Sequence, residues 1–355
     1  MSERITIELE SPVYRSFRVE QVGGMFDVPL EEKMNQRFYF QSPPLDESWR
    51  IGLIVGPSGS GKSTVAQTLF KEDLWTGTHW PENQSLLDGF GDHSIKEIVA
   101  TLSMVGFSSP PSWIKPYRVL SNGEKFRCDL AKALLDAQSE TVVYDEFTSV
   151  VDRNVACIGS AAIASGVKKE RIKKKFVAVT CHYDIAQWLE PDWILDMATG
   201  EVARRSLRRP AIHLEIRQAP RRLWSLFARH HYLSGELPNA VKCYVAFWQG
   251  EPVAFCCIAS LMGRKNRRRI SRIVTLPDYQ GVGIGSQFVN AIGEFYKSQH
   301  IRLNLTGSHP AIIAHCSRSE HWRTVSVRVA GSSSVQFGKR YRGSGGRAVV
   351  SFEYQ

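Results

Sequence analysis

Acidic residues become scarce in the C-terminal part of the 355-residue sequence. From Arg204 onward there are 7 Asp and Glu against 24 Lys and Arg, a formal +17, whereas the preceding residues carry 28 against 21, or −7. This split excludes a chain of uniform charge and points to an acidic or neutral enzyme core joined to a region that meets a polyanion. Nucleic acid is the leading partner; a cofactor phosphate can account for part of the excess, and a solvated basic surface is the plain alternative. Cysteine is also sparse. The seven (128, 157, 181, 243, 256, 257 and 316) form no C-x-x-C pair and no even framework, which argues against a zinc ribbon or a disulfide scaffold and fits a reducing cytoplasm. Cys256 and Cys257 are adjacent in an apolar run, so they read as packing residues rather than ligands. No run approaches the ~18 continuous apolar residues of a membrane span, and the N-terminus lacks the apolar core of a signal peptide. The expectation is a cytoplasmic protein that does not engage a membrane.

The first informative stretch is Gly56-Pro57-Ser58-Gly59-Ser60-Gly61-Lys62-Ser63-Thr64, which fits G-x-x-x-x-G-K-[ST]. Ile51-Gly52-Leu53-Ile54-Val55 before it reads as a strand buried on both faces, and Val65, Ala66, Leu69 and Phe70 after it recur at helical spacing. Glycines let successive N–H groups point inward and the helix start adds its positive end, so the loop should cradle phosphates. Gly56, Ser58, Gly59, Gly61, Lys62, Ser63 and Thr64 are the expected ATP-binding residues. Lys62 should reach the β- and γ-phosphates, and Ser63 should ligate Mg²⁺.

Residues 4–48 mix short alternating runs with turn residues such as Gly23-Gly24 and Pro43-Pro44, which predicts an antiparallel strand layer. Tyr14, Phe17 and Phe26 could stack on adenine there, with core packing as the default. Further on come Leu120-Ser121-Asn122-Gly123-Glu124 and a helix bearing Phe126, Leu130, Ala131, Leu134 and Leu135. Val142-Val143-Tyr144-Asp145-Glu146 is an apolar strand ending in two acids, and Phe176-Val177-Ala178-Val179-Thr180 is a further strand ending at Cys181-His182. The basic run over residues 168–175 reads by default as a solvated loop.

In this order, the phosphate loop, the 120–124 signature, the Asp145-Glu146 strand end, Ser149-Val150-Val151-Asp152 and His182 resemble the motifs of ABC-type ATPases. The resemblance implies that Asp145 holds Mg²⁺, Glu146 polarises the attacking water and His182 contacts the γ-phosphate. Ser121 and Gly123 would press on ATP held by a second protomer, giving an ATP-sandwich homodimer with residues 149–152 at its seam. Gln84 is the candidate lid glutamine, with a plain surface role as the alternative. Asn122 stands where the family usually has glycine, and asparagine tolerates positive φ. Glu124 replaces the glutamine common in transporters, as in the soluble chromosome and DNA-repair branch. The short interval from Ser63 to Ser121 leaves little room to dock a membrane subunit.

Trp193-Ile194-Leu195-Asp196-Met197-Ala198-Thr199-Gly200-Glu201-Val202 reads as a closing hairpin, and the basic residues 204–210 mark a boundary. Past it, a strand is predicted over 212–216, a helix around Leu223, Trp224 and Phe227, and two strands joined by the turn signal Gln249-Gly250-Glu251-Pro252. A strand over 270–276 runs into Pro277-Asp278-Tyr279-Gln280-Gly281-Val282-Gly283-Ile284-Gly285, followed by a helix. The segment Gln280-Gly281-Val282-Gly283-Ile284-Gly285 resembles Q/R-x-x-G-x-G, the pyrophosphate loop of GNAT acyltransferases. A strand over 301–306, a helix from Pro310 and terminal strands over 325–329 and 348–354 complete a GNAT-like order. The implied ligand is acyl-CoA, with acetyl-CoA the first choice, held by Gln280, Gly281, Gly283, Gly285 and Ser286.

The family supplies no obligatory catalytic residue. His231 and Tyr232, in the loop His230-His231-Tyr232, are the chosen candidates, beside Asp278, His309, His315 and His321. A tyrosine acid is not evident on the helix from Pro310, which carries His315 and Cys316 instead. The expected loop Arg264-Lys265-Asn266-Arg267-Arg268-Arg269 enters the strand that leads to the glycine loop. Its cations Arg264, Lys265, Arg267, Arg268 and Arg269 should hold a phosphate backbone with salt-dependent affinity. Lys339-Arg340-Tyr341-Arg342 adds an aromatic among cations.

The expected fold class is α/β: an ABC-type P-loop NTPase domain over residues 1–205, followed by a GNAT-like α+β acyltransferase domain over 206–355. The whole is similar to the two-domain ABC–GNAT proteins of phages and mobile elements. Its second part also resembles, more loosely, a phage protein of GNAT-like fold that modifies adenine in DNA. The expected function is ATP hydrolysis coupled to N-acyl transfer on nucleic acid, with base modification as one form; base chemistry in a duplex would require flipping. The alternative is a nucleic-acid-binding ATPase whose second domain only docks.

Overall fold

The computed structural model describes residues 4–27, 33–204, 209–231, 236–261, 263–329 and 348–355. The chain passes back and forth between two compact units, one of Met1–Thr76, Ala137–Ser149 and Lys173–Arg208, the other of Gly77–Asp136, Val150–Ile172 and Arg209–Gln355.

In chain order, β1 (Arg4–Pro12) and β2 (Lys33–Gln41) pair antiparallel, with α1 (Phe17–Phe26) between them. The helix corrects the expected all-strand layer. Ser16 caps it, accepting from Val19 N at 3.3 Å, and Asp27 ends it in the left-handed region at φ 50°. Tyr14, Phe17 and Phe26 are exposed by 79%, 79% and 69%, so none belongs to the core.

Next come β3 (Ile51–Val55), α2 (Lys62–Phe70) and the short β4 (Leu74–Trp75). The chain then crosses into the second unit for α3 (Ile95–Met104), α4 (Pro110–Trp113) and α5 (Asn122–Asp136). It returns for β5 (Thr141–Tyr144), leaves again for α6 (Arg153–Lys168), and closes the first unit with β6 (Lys175–Thr180), α7 (Ala186–Leu189), β7 (Trp193–Asp196) and β8 (Glu201–Arg204).

The first unit is built on a six-stranded sheet of order β4-β5-β6-β3-β7-β8, parallel except for the β7–β8 hairpin. Its central strand reads as a continuous apolar run because both faces are covered. Trp193 lies so close over Gly52 that a Cβ there would overlap the indole. Val65, Ala66 and Phe70 of α2 join Ile54, Val143, Val177 and Leu195 in the core, each fully buried large side chain contributing about 1.5–3 kcal/mol.

The C-terminal part of the second unit begins with β9 (Glu215–Ala219), a few residues later than expected, and α8 (Trp224–Ala228). Then follow β10 (Val241–Trp248), β11 (Glu251–Leu261), β12 (Arg264–Thr275), α9 (Ile284–Ser298), β13 (Arg302–Gly307), α10 (Pro310–Arg318), β14 (Trp322–Val329) and β15 (Ala348–Tyr354). The sheet order is β14-β15-β13-β12-β11-β10-β9, and only β12 and β13 run parallel. Gln249 and Gly250, at φ 53° and 84°, make the tight turn that the hairpin signal predicted.

The arginine-rich stretch is a strand, not the expected loop. Residues 268–270 of β12 pair with β11 on one edge and residues 267–270 with β13 on the other, so ladder hydrogen bonds hold them in spite of their charge.

Candidate active sites

The phosphate loop leaves β3 and enters α2 in the first unit. Gly59 and Gly61 sit at φ 78° and 85°, which glycine adopts without strain, and a Cβ on Gly59 would meet nothing within 4 Å. Gly61 caps α2 without a side-chain bond, leaving the N–H groups of the first turn for a ligand. Ser60 Oγ is buried with no hydrogen-bond partner, and Lys62 Nζ donates to Pro57 O at 2.7 Å. Such a cradle suits phosphate oxygens.

Strand register brings the remaining first-unit residues to the same edge. β6 lies between β3 and β5, with Val55 opposite Thr180 and Tyr144 opposite Ala178. The phosphate loop, Asp145-Glu146 and His182 therefore emerge from the carboxyl ends of three adjacent strands, spaced about 4.8 Å apart. Asp145 Oδ1 accepts from Glu146 N at 2.8 Å. Glu146 and Thr148 hold φ of 51° and 71°, strained values for non-glycine residues. Thr148 was not singled out from sequence, yet its Oγ1 lies 3.1 Å from His182 Nδ1, while Thr180 Oγ1 accepts from His182 N at 3.2 Å. Ser63 and Asp145 offer oxygen only, the donor chemistry Mg²⁺ takes alongside phosphates and water.

Gln84, Ser121 and Gly123 belong to the second unit. Gln84 is exposed in a bend. Ser121 N donates to Glu124 Oε2 at 3.0 Å and Glu124 N to Ser121 Oγ at 3.3 Å, so Ser121 and Glu124 form a capping box at the start of α5. Glu124 thus has a local structural reason beyond any family branch. Asn122 is the first helical residue and has no positive φ, which corrects the expected left-handed turn. Gly123 faces the C-terminal glycine loop: a Cβ on it would lie 3.0 Å from Asp278 Oδ1.

Around that glycine loop the three glycines differ. Gly281, at φ 90°, packs so tightly on the turn after α3 and on α6 that a Cβ would come within 2.9 Å of Gly106 Cα and 3.2 Å of Ala162 Cβ. A Cβ on Gly285 would lie 2.9 Å from Thr275 Oγ1, whereas Gly283, at φ 91°, faces open space. Gly283 caps α9 with no side-chain bond, and Gly283, Gly285 and Ser286 line a cavity of about 1100 Å³. Gln280 is committed elsewhere: its Oε1 accepts from Ser108 N at 2.6 Å and its Nε2 donates to Thr275 O at 2.8 Å. Its side chain is a tie between segments, so a pyrophosphate here would meet backbone N–H groups instead.

The cavity opens where the parallel strands part. β12 and β13 pair only over residues 267–270 and 302–305, while residues 271–275 and 306–307 line the cavity walls. Main-chain groups freed by the splay can pair with the amides of an extended ligand.

His230, His231, His309 and His315 line the same cavity. His231 is buried with its ring 5.8 Å from Trp224, edge-on. Burial, then Arg229, lowers the His230 pKa, and Arg229 Nε donates to its Nε2 at 3.0 Å. Burial also lowers His309, whose Nδ1 accepts from Ala311 N at 3.2 Å as the cap of α10. Burial again lowers His315, which lies 3.3 Å from Asn290 Oδ1. His321 instead stacks on Tyr354, with centroids 5.9 Å apart. Burial pushes the Cys316 thiol up to about 12, which disfavours its thiolate. Tyr232 and residues 339–342 lie outside the described residues.

The arginine cluster is divided by strand alternation, with 267 and 269 on one face and 268 on the other. Arg267 faces Glu353 at 3.8 Å, the same carboxylate that takes Arg302 at 2.5 Å and Arg323 at 3.1 Å. Arg269 is exposed, Arg268 Nη1 donates to Arg267 O, and the side chains of Arg264 and Lys265 lie outside the described set.

Residues 205–315 match the model of the Acetyltransferase (GNAT) family. Among curated proteins, none matches the sequence. The dimeric structure of a bacterial ABC transporter cassette is 19% identical over 49% of this chain and 93% of its own, with a TM-score of 0.37. The ribosomal-protein-S18-alanine N-acetyltransferase from Escherichia coli is 13% identical over 40% of this chain and 93% of its own, at TM-score 0.32. A Bacillus subtilis acetyltransferase in complex with CoA is 13% identical over 41% of this chain and 99% of its own, at TM-score 0.30. No helix among the described residues is long and apolar enough to cross a membrane.

Proposed function

We propose that the protein is an ABC-type ATPase joined to a GNAT-type N-acyltransferase that takes acetyl-CoA as donor and an amine presented by nucleic acid as acceptor. The observation that carries this reading is the Gly283 cradle at the start of α9, open to the cavity where β12 and β13 part, inside the segment that matches the acetyltransferase family.

In the transfer step the acceptor nitrogen attacks the thioester carbonyl carbon. The C–N bond forms, the C–S bond breaks, and the departing CoA sulfur takes up the proton the amine loses. Proximity supplies most of the rate, with modest help from a neutral base. His231 is the proposed base, by its position on the cavity wall. His309 is spent as a helix cap, and Asp278 is paired with Arg127.

In the first unit, Gly56, Ser58, Gly59, Gly61, Lys62, Ser63 and Thr64 hold the ATP phosphates. Ser63 and Asp145 would hold Mg²⁺, which would supply positive charge for the β- and γ-phosphate oxygens. Glu146 orients the water that attacks the γ-phosphorus, and His182, whose ring is held by Thr148, contacts the γ-phosphate. Ser121 and Gly123 act across a homodimer, with Gln84 as the lid residue. The +17 charge from Arg204 onward supports the nucleic-acid acceptor, base modification included.

A second reading, a DNA-stimulated ATPase with a docking module, is favoured by the commitment of Gln280 to Ser108 and Thr275. Calorimetry separates the two. The first reading requires acetyl-CoA binding that Gly283→Trp abolishes, and acetylated nucleosides by mass spectrometry of DNA incubated with protein, ATP and acetyl-CoA. No binding by the wild type establishes the docking reading.

A further inference from the structure

The donor cavity has a wall that the C-terminal sheet does not supply. α3 and α6, which belong to the region before residue 205, close it opposite β12 and β13. On α6, Ala162 abuts the glycine loop at Gly281, and Ser165, Gly166 and Lys169 continue the same helical face along the cavity. From Ala162 to Lys169 that face advances about 10 Å, the scale of a diphosphate, ribose and second phosphate laid end to end.

The charge along this wall is one-sided. Lys96, Lys169, Arg171, Arg272 and Arg318 line the cavity, and no Asp or Glu lines it among the described residues. Three of these cations come from the helical segment and Arg318 from the end of α10. Partial desolvation of this largely exposed side chain, followed by the charges of Arg171, Arg209 and Arg318, holds the Lys169 ammonium below the usual lysine range. Lys169 is the C-cap of α6, where the negative helix end favours a cation, but this does not account for Arg171 and Arg318 beside it. Crowded like charges raise the energy of the fold unless an anion sits among them.

We propose that Lys169 and Arg171 of the helical segment, together with Arg318, bind the 3′-phosphate of the acyl-CoA adenosine. The diphosphate has its own donors in the backbone of the glycine loop, which leaves the 3′-phosphate as the anion these side chains match. The donor site of the C-terminal region is then completed by the segment that also carries Ser121 and Gly123. This assignment rests on the acyl-donor reading above.

Calorimetry of the full-length protein with acetyl-CoA and with acetyl-3′-dephospho-CoA tests it. Wild type should bind acetyl-CoA at least tenfold more tightly, and Lys169→Ala/Arg171→Ala should erase that preference by weakening acetyl-CoA about tenfold or more while leaving the dephospho ligand within about twofold. Both side chains are exposed, so the double variant should fold; Lys169→Gln and Arg171→Gln singly repeat the test with less disturbance. Equal wild-type affinity for the two donors, or equal losses for both in the variant, overturns the assignment while leaving the acyl-donor reading intact. Loss of affinity for a 20-base-pair DNA duplex with donor binding unchanged also overturns it, transferring the cations to nucleic acid. Absence of binding to either donor by wild type overturns the acyl-donor reading itself.

Discussion

Arg127 Nη2 donates to the main-chain oxygen of Asp278 at 3.0 Å, and its Nη1 lies 3.4 Å from the Asp278 carboxylate. The guanidinium is shut from solvent while the Asp278 side chain is 47% exposed. Arg127 stands one turn beyond Gly123 on α5, and Asp278 two residues before Gln280. A ligand pressing on Gly123 would therefore act on the same short network that positions the glycine loop.

Replacing Arg127 by Met should cost about 2–3 kcal/mol in denaturant unfolding, because a buried hydrogen-bonded cation is lost from a site shaped for it. Asp278→Asn should cost below about 1 kcal/mol, since that carboxylate is half-solvated and the main-chain bond survives. Equal costs would assign the link to the carboxylate.

Glu146→Gln should lower phosphate release at least a hundredfold while ATP binding persists, because the amide fills the same space but cannot take up the proton of water. Full turnover in the variant would remove Glu146 from its role.

Thr148→Val keeps the shape beside His182 and removes the partner of Nδ1. Turnover should fall about tenfold with ATP affinity little changed, and the loss should not add to that of His182→Ala, since both act through one ring. Additive losses would give Thr148 a separate function.

Glu353 is expected to shape the acid limb of stability. Burial works to raise its pKa, but Arg302, Asn304 and Arg267 more than offset this and hold it below the ordinary 4.5. Its stabilising contribution is complete above pH 4.5 and is lost as acidification passes from there through the folded value. The stability gap between wild type and Glu353→Gln, followed by thermal melts, should narrow below about pH 4.5. A gap independent of pH would mean the carboxylate charge is not what matters.

Arg269→Ala should weaken DNA binding and reduce its salt slope by about one, and Arg267→Ala by less, because Arg267 already faces Glu353. The reverse ranking would move the contact along the same face to Arg267, beside Glu353.

The local features were largely legible in the sequence because short-range physics decides them. The apolar run before Gly56, the helical spacing after it, and Gln249-Gly250 each led to the element found. Glycine spacing likewise marked both tight turns into a helix, since φ near 80–90° at Gly59, Gly61, Gly281 and Gly283 is open to glycine without strain. The arginine strand was misread because ladder pairing on both edges comes from β11 and β13, which local charge does not reveal. α1 was hidden behind alternating runs that belong only to its flanking strands.

Contacts between distant segments were decided by tertiary structure. Nothing in the spacing of Ser108, Arg127 and Ala162 says that they meet residues 278–281, because those approaches depend on how α3, α5 and α6 pack. The sequence by itself determined that there are two glycine loops that each run into a helix and that positive charge gathers beyond residue 204. Packing alone decided that Gln280 is a tie, that Thr148 steadies His182, and that α6 walls the cavity of the second cradle. Side-chain partners across such separations follow from the assembled core, where close approach and desolvation select them.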